Sequence, residues 1–181
     1  MSHSLPLTPD ALQRGARITL LLLDVDGVLT DGRIIYDEFG DELKCFDVQD
    51  GAGLSLWRRA GLKSAIITSR ASKLVARRAK ELRVDFLAQR AVVKLDLFQQ
   101  LLRRFRLNPE QVCVMGDDLA ELPLMRRAGL AIAVANAVDE VKAASHYVTQ
   151  RSGGRGAVRE TVELLLKTKG LWDGVTDQYR L

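Results

Sequence analysis

The chain has little of what marks a disulfide-stapled, thiolate-metal or membrane protein. Its 181 residues include two cysteines, two histidines and four prolines. Cys45 and Cys113 form neither a metal-ligand nor a redox spacing, and Cys113 sits within the apolar segment VCVMG as a small core residue would. A reduced, cytoplasmic setting is expected from that usage. The N-terminus lacks the charged and apolar regions of a signal peptide, and the run from Ile18 to Leu23 is far too short to cross a bilayer, so no membrane partner is expected. His3 and His146 have no partner at a recognisable spacing and carry no catalytic signal. Aromatic residues make up only 6%, and the net charge of +4 is spread over pairs such as Arg58 and Arg59, Arg77 and Arg78, and Arg103 and Arg104. Nucleic-acid surfaces interleave basic and aromatic residues. Scattered pairs on polar helix faces read instead as a solvated surface that attracts an anionic substrate only secondarily, with no nucleic-acid partner.

What is present is a core. With 47% hydrophobic and 28% charged residues and no internal repeat, the chain has the mix of one globular domain. Apolar and amphipathic segments alternate along it. Besides Leu20–Leu23, the segments 65–68, 84–87, 112–115 and 130–134 read as short buried strands separated by helix-period stretches. That rhythm predicts βαβ units and an α/β fold with a doubly wound, Rossmann-like parallel sheet. The helix from Lys94 to Phe105 places Leu95, Phe98, Leu101, Leu102 and Phe105 on one face, and Val158, Val162, Leu165 and Leu166 repeat the pattern near the end. Between Arg33 and Asp47, two short β-prone runs flank a polar turn at Gly40 and predict an inserted β-hairpin. So small a hairpin is marginal alone and is expected to pack against something else, such as another subunit. Residues 1–13 and the chain beyond Gly170 are expected to be the least ordered.

The segment LLLLDVDGVLTDG, residues 20–32, carries the strongest chemical signal. A buried strand ends in Asp24 and Asp26, at the strand end where open α/β sheets place their chemistry. Two carboxylates so close repel each other unless a cation or a shared proton offsets the charge, and a magnesium ion would do so. Other strand ends finish in Thr68, Ser69 and Arg70, and in Gly116, Asp117 and Asp118, while Lys94 opens the helix between. In a parallel sheet these ends converge on one edge. Together they supply carboxylates for a metal, a hydroxyl and an ammonium, an inventory that fits phosphoryl transfer through an aspartyl phosphate. Asp24 is then the nucleophile and Asp26 the acid/base. Plainer roles exist for each piece: a strand hydroxyl for Thr68, helix caps for Asp117 and Asp118, a solvated lysine for Lys94. Yet a cation in a first helical turn opposes the macrodipole by about 0.3–1 kcal/mol, which suggests that Lys94 meets an anion.

These residues, in this order, resemble the haloacid dehalogenase superfamily of magnesium-dependent phosphatases. Its four motifs appear as DVDGVLTDG at 24–32, ITSR at 67–70, Lys94, and GDDLAELP at 116–123. Within that superfamily the chain is most similar to the 3-deoxy-D-manno-octulosonate 8-phosphate phosphatase family. The shared features are a hairpin directly after the first motif, FDVQDGAG at 46–53 and GGRGAVRE at 153–160. The resemblance spans residues 17–168, leaving 1–16 as an N-terminal extension and 169–181 as a tail. It implies that Asp24 and Asp117, with the backbone carbonyl of Asp26, hold Mg²⁺. It also implies that Thr68 and Lys94, with Ser69 and Arg70 beside them, bind the phosphoryl end of a sugar phosphate, and that Asp118 lies close to the metal without touching it. Further implications are a fold without a cap domain, a homotetramer in which the hairpin 33–47 helps to close a neighbouring site, and a step toward the sugar linking lipid A to the lipopolysaccharide core.

The chain departs from the family pattern at Ser69, at Gln49, at Arg90 within QRAVVK, and at Glu121 in the fourth motif. None of these removes an atom needed for phosphoryl transfer, but Gln49 and Arg90 lie where sugar contacts are expected. The alternatives are therefore a phosphatase of another sugar acid phosphate, such as an acylneuraminate 9-phosphate, and a non-catalytic protein of the same fold.

Overall fold

The computed structural model describes residues 7–179. A six-stranded parallel sheet has the order β5-β4-β1-β6-β7-β8. Its strands are β1 (Leu20–Leu23), β4 (Lys63–Ile67), β5 (Phe86–Ala88), β6 (Val112–Gly116), β7 (Leu130–Ala133) and β8 (Tyr147–Val148). All four residues of β1 are buried, as expected of a central strand covered on both faces. The chain moves outward from β1 through β4 to β5 and then returns to the other side of β1 at β6. This reversal opens a crevice at the carboxyl ends of β1 and β6, where doubly wound sheets bind their ligands. β8 has no counterpart among the expected strands, because two residues leave no periodicity to read.

The intervening helices are α2 (Val48–Arg59), α3 (Lys73–Leu82), α4 (Lys94–Phe105), α5 (Leu122–Met125), α6 (Asp139–Ala143) and α7 (Ala157–Thr168). In α4, Phe98 and Leu101 are buried, and Leu95, Leu102 and Phe105 pack beside them. In α7, Val158, Val162, Leu165 and Leu166 are fully enclosed. Trp57 ties α2 to the sheet, its indole N–H donating to the Lys63 carbonyl at 2.7 Å. Asp50, also on α2, accepts the backbone N–H groups of Gly156 at 3.3 Å and Arg159 at 2.8 Å, and so caps the start of α7 from a neighbouring helix. Among the described residues no helix is long and apolar enough to cross a membrane.

Directly after the first motif, β2 (Ile35–Tyr36) and β3 (Glu42–Leu43) form an antiparallel hairpin. No further domain is inserted between β1 and α2, so the expected absence of a cap in that crossover holds. The expectation of weak order at both ends needs correction. Residues 1–6 and 180–181 lie outside the described residues, but α1 (Pro9–Arg17) is a regular helix. Thr8 caps it, accepting the Ala11 N–H at 3.2 Å, and Ala11 is fully buried. Beyond Gly170, α8 (Trp172–Thr176) is held by the Trp172 ring, which lies 5.7 Å from the Arg159 guanidinium and 5.1 Å from the Lys167 ammonium. Both ends are ordered by contacts with α7 that their own composition does not announce.

Candidate active site

Beyond β1, Asp24 is buried and the chain folds over the carbonyl of Val25, which accepts the N–H groups of Val28, Leu29 and Thr30 at 3.2, 2.9 and 3.0 Å. Gly27 has φ of 97°, and a Cβ there would lie 1.9 Å from Asp117 Oδ2. Only glycine meets both conditions, and through it the loops after β1 and β6 come into contact. The GGRG segment braces this loop from the other side. A Cβ on Gly153 would sit 1.7 Å from the Gly27 carbonyl oxygen. Asn136 bridges the two, its Nδ2 donating to the Gly27 carbonyl at 3.1 Å and its Oδ1 accepting the Gly153 N–H at 2.7 Å.

Lys94, the first residue of α4, is buried and its ammonium donates to Asp24 Oδ1 and to Glu121 Oε1, each at 2.5 Å. The anions that offset a cation in this first turn are thus two carboxylates of the protein itself. Glu121 has a second task, since its Oε2 accepts the Asp118 N–H at 3.1 Å while Asp118 Oδ1 accepts the Leu119 N–H at 2.7 Å. This reciprocal cap starts the short 3₁₀ turn Leu119–Glu121 and aims Glu121 at Lys94. Thr68, one residue past β4, is buried, Ser69 is exposed, and Arg70 is half-buried.

Asp24, Asp26, Thr68, Ser69, Arg70, Lys94, Asp117 and Asp118 all line one pocket, together with Ala120 and Glu121. Its volume is about 160 Å³. Pockets that enclose drug-sized ligands start near ~300 Å³. This one suits a phosphoryl group and leaves the rest of a substrate at the rim.

The charges are unbalanced. Asp24, Glu121 and Asp117 face a single buried ammonium, and burial pushes the Asp24 carboxyl up to about 6, with Lys94 opposing the rise and Glu121 adding to it. Burial, followed by the charge of Asp24, takes Asp117 to about 7. Burial works against the Lys94 cation, but Asp24 and Glu121 outweigh it and hold its pKa above the usual lysine range. The site is short of positive charge. Among the described residues no three His, Cys, Asp or Glu side chains converge as a metal site. The donors available are the Asp24 and Asp117 carboxylates and the backbone carbonyl of Asp26. All are hard oxygens, and magnesium is typically held by one or two carboxylates while keeping several waters.

Glu121 enters the site as a partner of Lys94, a role its identity as a motif variant does not disclose; its only sequence signal is the Asp118–Glu121 capping spacing. The hairpin, expected to help close a neighbouring site, also reaches the site of its own chain. Lys44 pairs with Asp26, and Glu42 accepts from Arg70 Nη2 at 2.5 Å. Other singled-out residues lie elsewhere. Gln49 accepts from Arg151 Nη1 at 2.6 Å, Arg155 stands 3.7 Å from Asp31, and His146 Nδ1 accepts the Ala131 N–H at 3.0 Å. Arg90 has φ of 59° and bonds through its own N–H to the Arg70 carbonyl at 3.4 Å. His3 lies outside the described residues. Cys113 is fully enclosed and Cys45 is exposed, both as free thiols.

Residues 64–159 match the haloacid dehalogenase-like hydrolase family. The chain is 43% identical over 171 residues to the 3-deoxy-D-manno-octulosonate 8-phosphate phosphatase of Yersinia pestis, covering 94% of this chain and 91% of that protein. It is 42% identical over 173 residues to the same enzyme of Escherichia coli strain K12, covering 96% and 92%. The crystal structure of the Moraxella catarrhalis 3-deoxy-D-manno-octulosonate 8-phosphate phosphatase in complex with a magnesium ion, a phosphate ion and a KDO molecule superimposes with a TM-score of 0.92 at 40% identity, over 94% of this chain and 98% of that one.

Proposed function

The chain belongs to the haloacid dehalogenase-like hydrolases, and from that membership we propose that it is a magnesium-dependent phosphatase converting 3-deoxy-D-manno-octulosonate 8-phosphate to the free sugar acid and phosphate. The observation that carries this reading is the buried Lys94 ammonium bonded to Asp24 in a pocket that also holds Thr68 and Asp117. It is supported by relatives of that activity matched over nearly their whole length.

Asp24 is held through Oδ1 by Lys94 and attacks phosphorus with a carboxylate oxygen. As the Asp24–phosphorus bond forms, the bond to the sugar oxygen breaks. The electron pair leaves on that oxygen, which takes a proton from the Asp26 carboxyl. In the second half Asp26 takes a proton from water, which attacks the aspartyl phosphate and frees Asp24. Lys94 and the Thr68 hydroxyl hold the phosphoryl oxygens, with Ser69 and Arg70 at the rim. Mg²⁺, held by Asp24, Asp117 and the Asp26 carbonyl, supplies the positive charge that this carboxylate-rich pocket lacks.

A panel of sugar phosphates assayed with and without magnesium tests the substrate. The expected result is magnesium-dependent turnover in which kcat/KM for 3-deoxy-D-manno-octulosonate 8-phosphate exceeds that for an acylneuraminate 9-phosphate by about 10- to 200-fold, the range one pocket achieves by shape. Preference for the nine-carbon acid would replace the substrate and keep the mechanism. The cellular setting in this reading is the cytoplasm, on the path to the lipopolysaccharide core sugar. A homotetramer is part of the same proposal, supported by the exposed Ile34, Tyr36, Phe39 and Leu43, apolar side chains spread over both faces and the turn of the hairpin and suited to burial against a second copy. Sedimentation equilibrium is expected to give four chains; a monomer at micromolar concentration would remove that part.

A further inference from the structure

The hairpin places charged side chains on the site of its own chain. Glu42 and Lys44 are two residues apart and share a side of the extended backbone, while Leu43 between them points away and is half exposed. Lys44 is the more telling of the pair. Its side chain is only 2% exposed, its ammonium donates to Asp26 Oδ1, and Glu42 Oε1 lies 3.4 Å from it. Burying an ammonium costs several kcal/mol unless close carboxylates offset the loss of water. A lysine meant only to pin a hairpin would keep that cost low on the surface. Lys44 instead engages the residue that the phosphatase reading makes the proton donor.

The contact is made through one oxygen. Lys44 occupies Asp26 Oδ1, whereas Oδ2 stands 3.8 Å from Arg70 Nε, beyond hydrogen-bond reach. Arg70 is itself directed by Glu42, at 2.5 Å. Glu42 thus orders both cations, and the pair of cations brackets one carboxyl group.

We infer that Lys44 is a positioning residue for the reaction: through Oδ1 it fixes the Asp26 carboxyl group so that Oδ2 carries the proton to the leaving oxygen. The inference rests on the phosphatase reading and adds a residue to it. While the phosphorus–oxygen bond breaks and its electron pair moves to the leaving oxygen, the proton passes from Asp26 to that oxygen. Lys44 touches neither and acts only through Asp26.

Leaving groups that differ in their need for the proton expose this role. Phenyl phosphate requires protonation of its leaving oxygen far more than p-nitrophenyl phosphate, whose phenolate departs unaided, and neither carries a sugar for the hairpin to contact. In K44M the kcat/KM for phenyl phosphate is expected to fall about 30-fold or more, a part of the ~10²–10⁴ that a general acid contributes, while that for p-nitrophenyl phosphate falls less than about threefold. The ratio of the two is independent of the fraction of folded protein, so an unstable variant still reports. Equal losses on both esters would make Lys44 a hairpin anchor and overturn the inference, as would no loss on either. Failure of the unsubstituted protein to hydrolyse any phosphate ester with Mg²⁺, the sugar acid phosphate included, would instead remove the phosphatase reading itself.

Discussion

The Asp24→Asn protein is expected to lose phosphatase activity by about 10⁴-fold or more while remaining folded, as removal of a covalent nucleophile does elsewhere. An amide oxygen is a poor nucleophile toward phosphorus and cannot form the acyl phosphate. The change is nearly isosteric, so Lys94 keeps an acceptor at the Asp24 position and retains Glu121 at 2.5 Å. Folding is not at risk for a second reason. Burial raises the Asp24 carboxyl to about 6, so its charged form is the costly one near neutral pH when no metal is bound, and asparagine removes that cost. Steady-state kinetics beside a thermal melt in EDTA reads both halves: near-zero turnover with an unchanged or higher melting temperature. Full activity in Asp24→Asn would sink the mechanism.

Magnesium is expected to invert the pH dependence of stability. Both Asp24 and Asp117 have an ordinary value of 3.8, raised in the folded chain to about 6 and about 7. Between pH 4 and 7 the native state therefore binds more protons than the unfolded state at these two groups. Their contribution to stability is fully present below about pH 4 and is lost as pH rises through 6 and 7. In EDTA, Asp117→Asn is expected to melt above the unsubstituted protein at pH 7.5, with the gap closing toward pH 4, because the amide mimics the protonated acid. Taking the difference between the two proteins cancels the titration of every other group. With Mg²⁺ at about 100 times its dissociation constant, mass action stabilises the unsubstituted protein at pH 7.5 by ~2.7 kcal/mol, or about 5–10 °C for a chain of this size. Asp117→Asn is expected to gain little. No magnesium shift in the unsubstituted protein, or a gap that ignores pH, would refute the carboxylate pair as the metal site.

The two predictions act on parts of the molecule that were legible to different degrees. The parallel sheet was readable because its cause is local: apolar segments of strand length alternate with helix-period stretches, and Leu20–Leu23 ends in Asp24 as a central strand ends at a site. The meeting of Asp24, Thr68, Lys94 and Asp117 in one pocket followed from the sheet, since parallel strands bring their carboxyl ends to one edge. The ordering of α1 is not legible because its packing partner, α7, is remote in sequence, and that of α8 because the seating of Trp172 on Arg159 and Lys167 depends on a chain reversal after α7 that composition does not announce.

By itself, then, the sequence determined the βαβ order, the hairpin after the first motif and the set of polar strand ends, all products of short-range pattern. Tertiary structure alone decided which charges meet. It put Glu121 on Lys94, 27 residues away, and the hairpin's Lys44 on Asp26, 18 residues away. It also seated Gly153 against the carbonyl of Gly27. The physical reason is that an ion pair between distant residues leaves no periodic trace. Its energy depends on separation and on the water excluded around it, and both are settled only when the β1 and β6 loops and the hairpin close over one another.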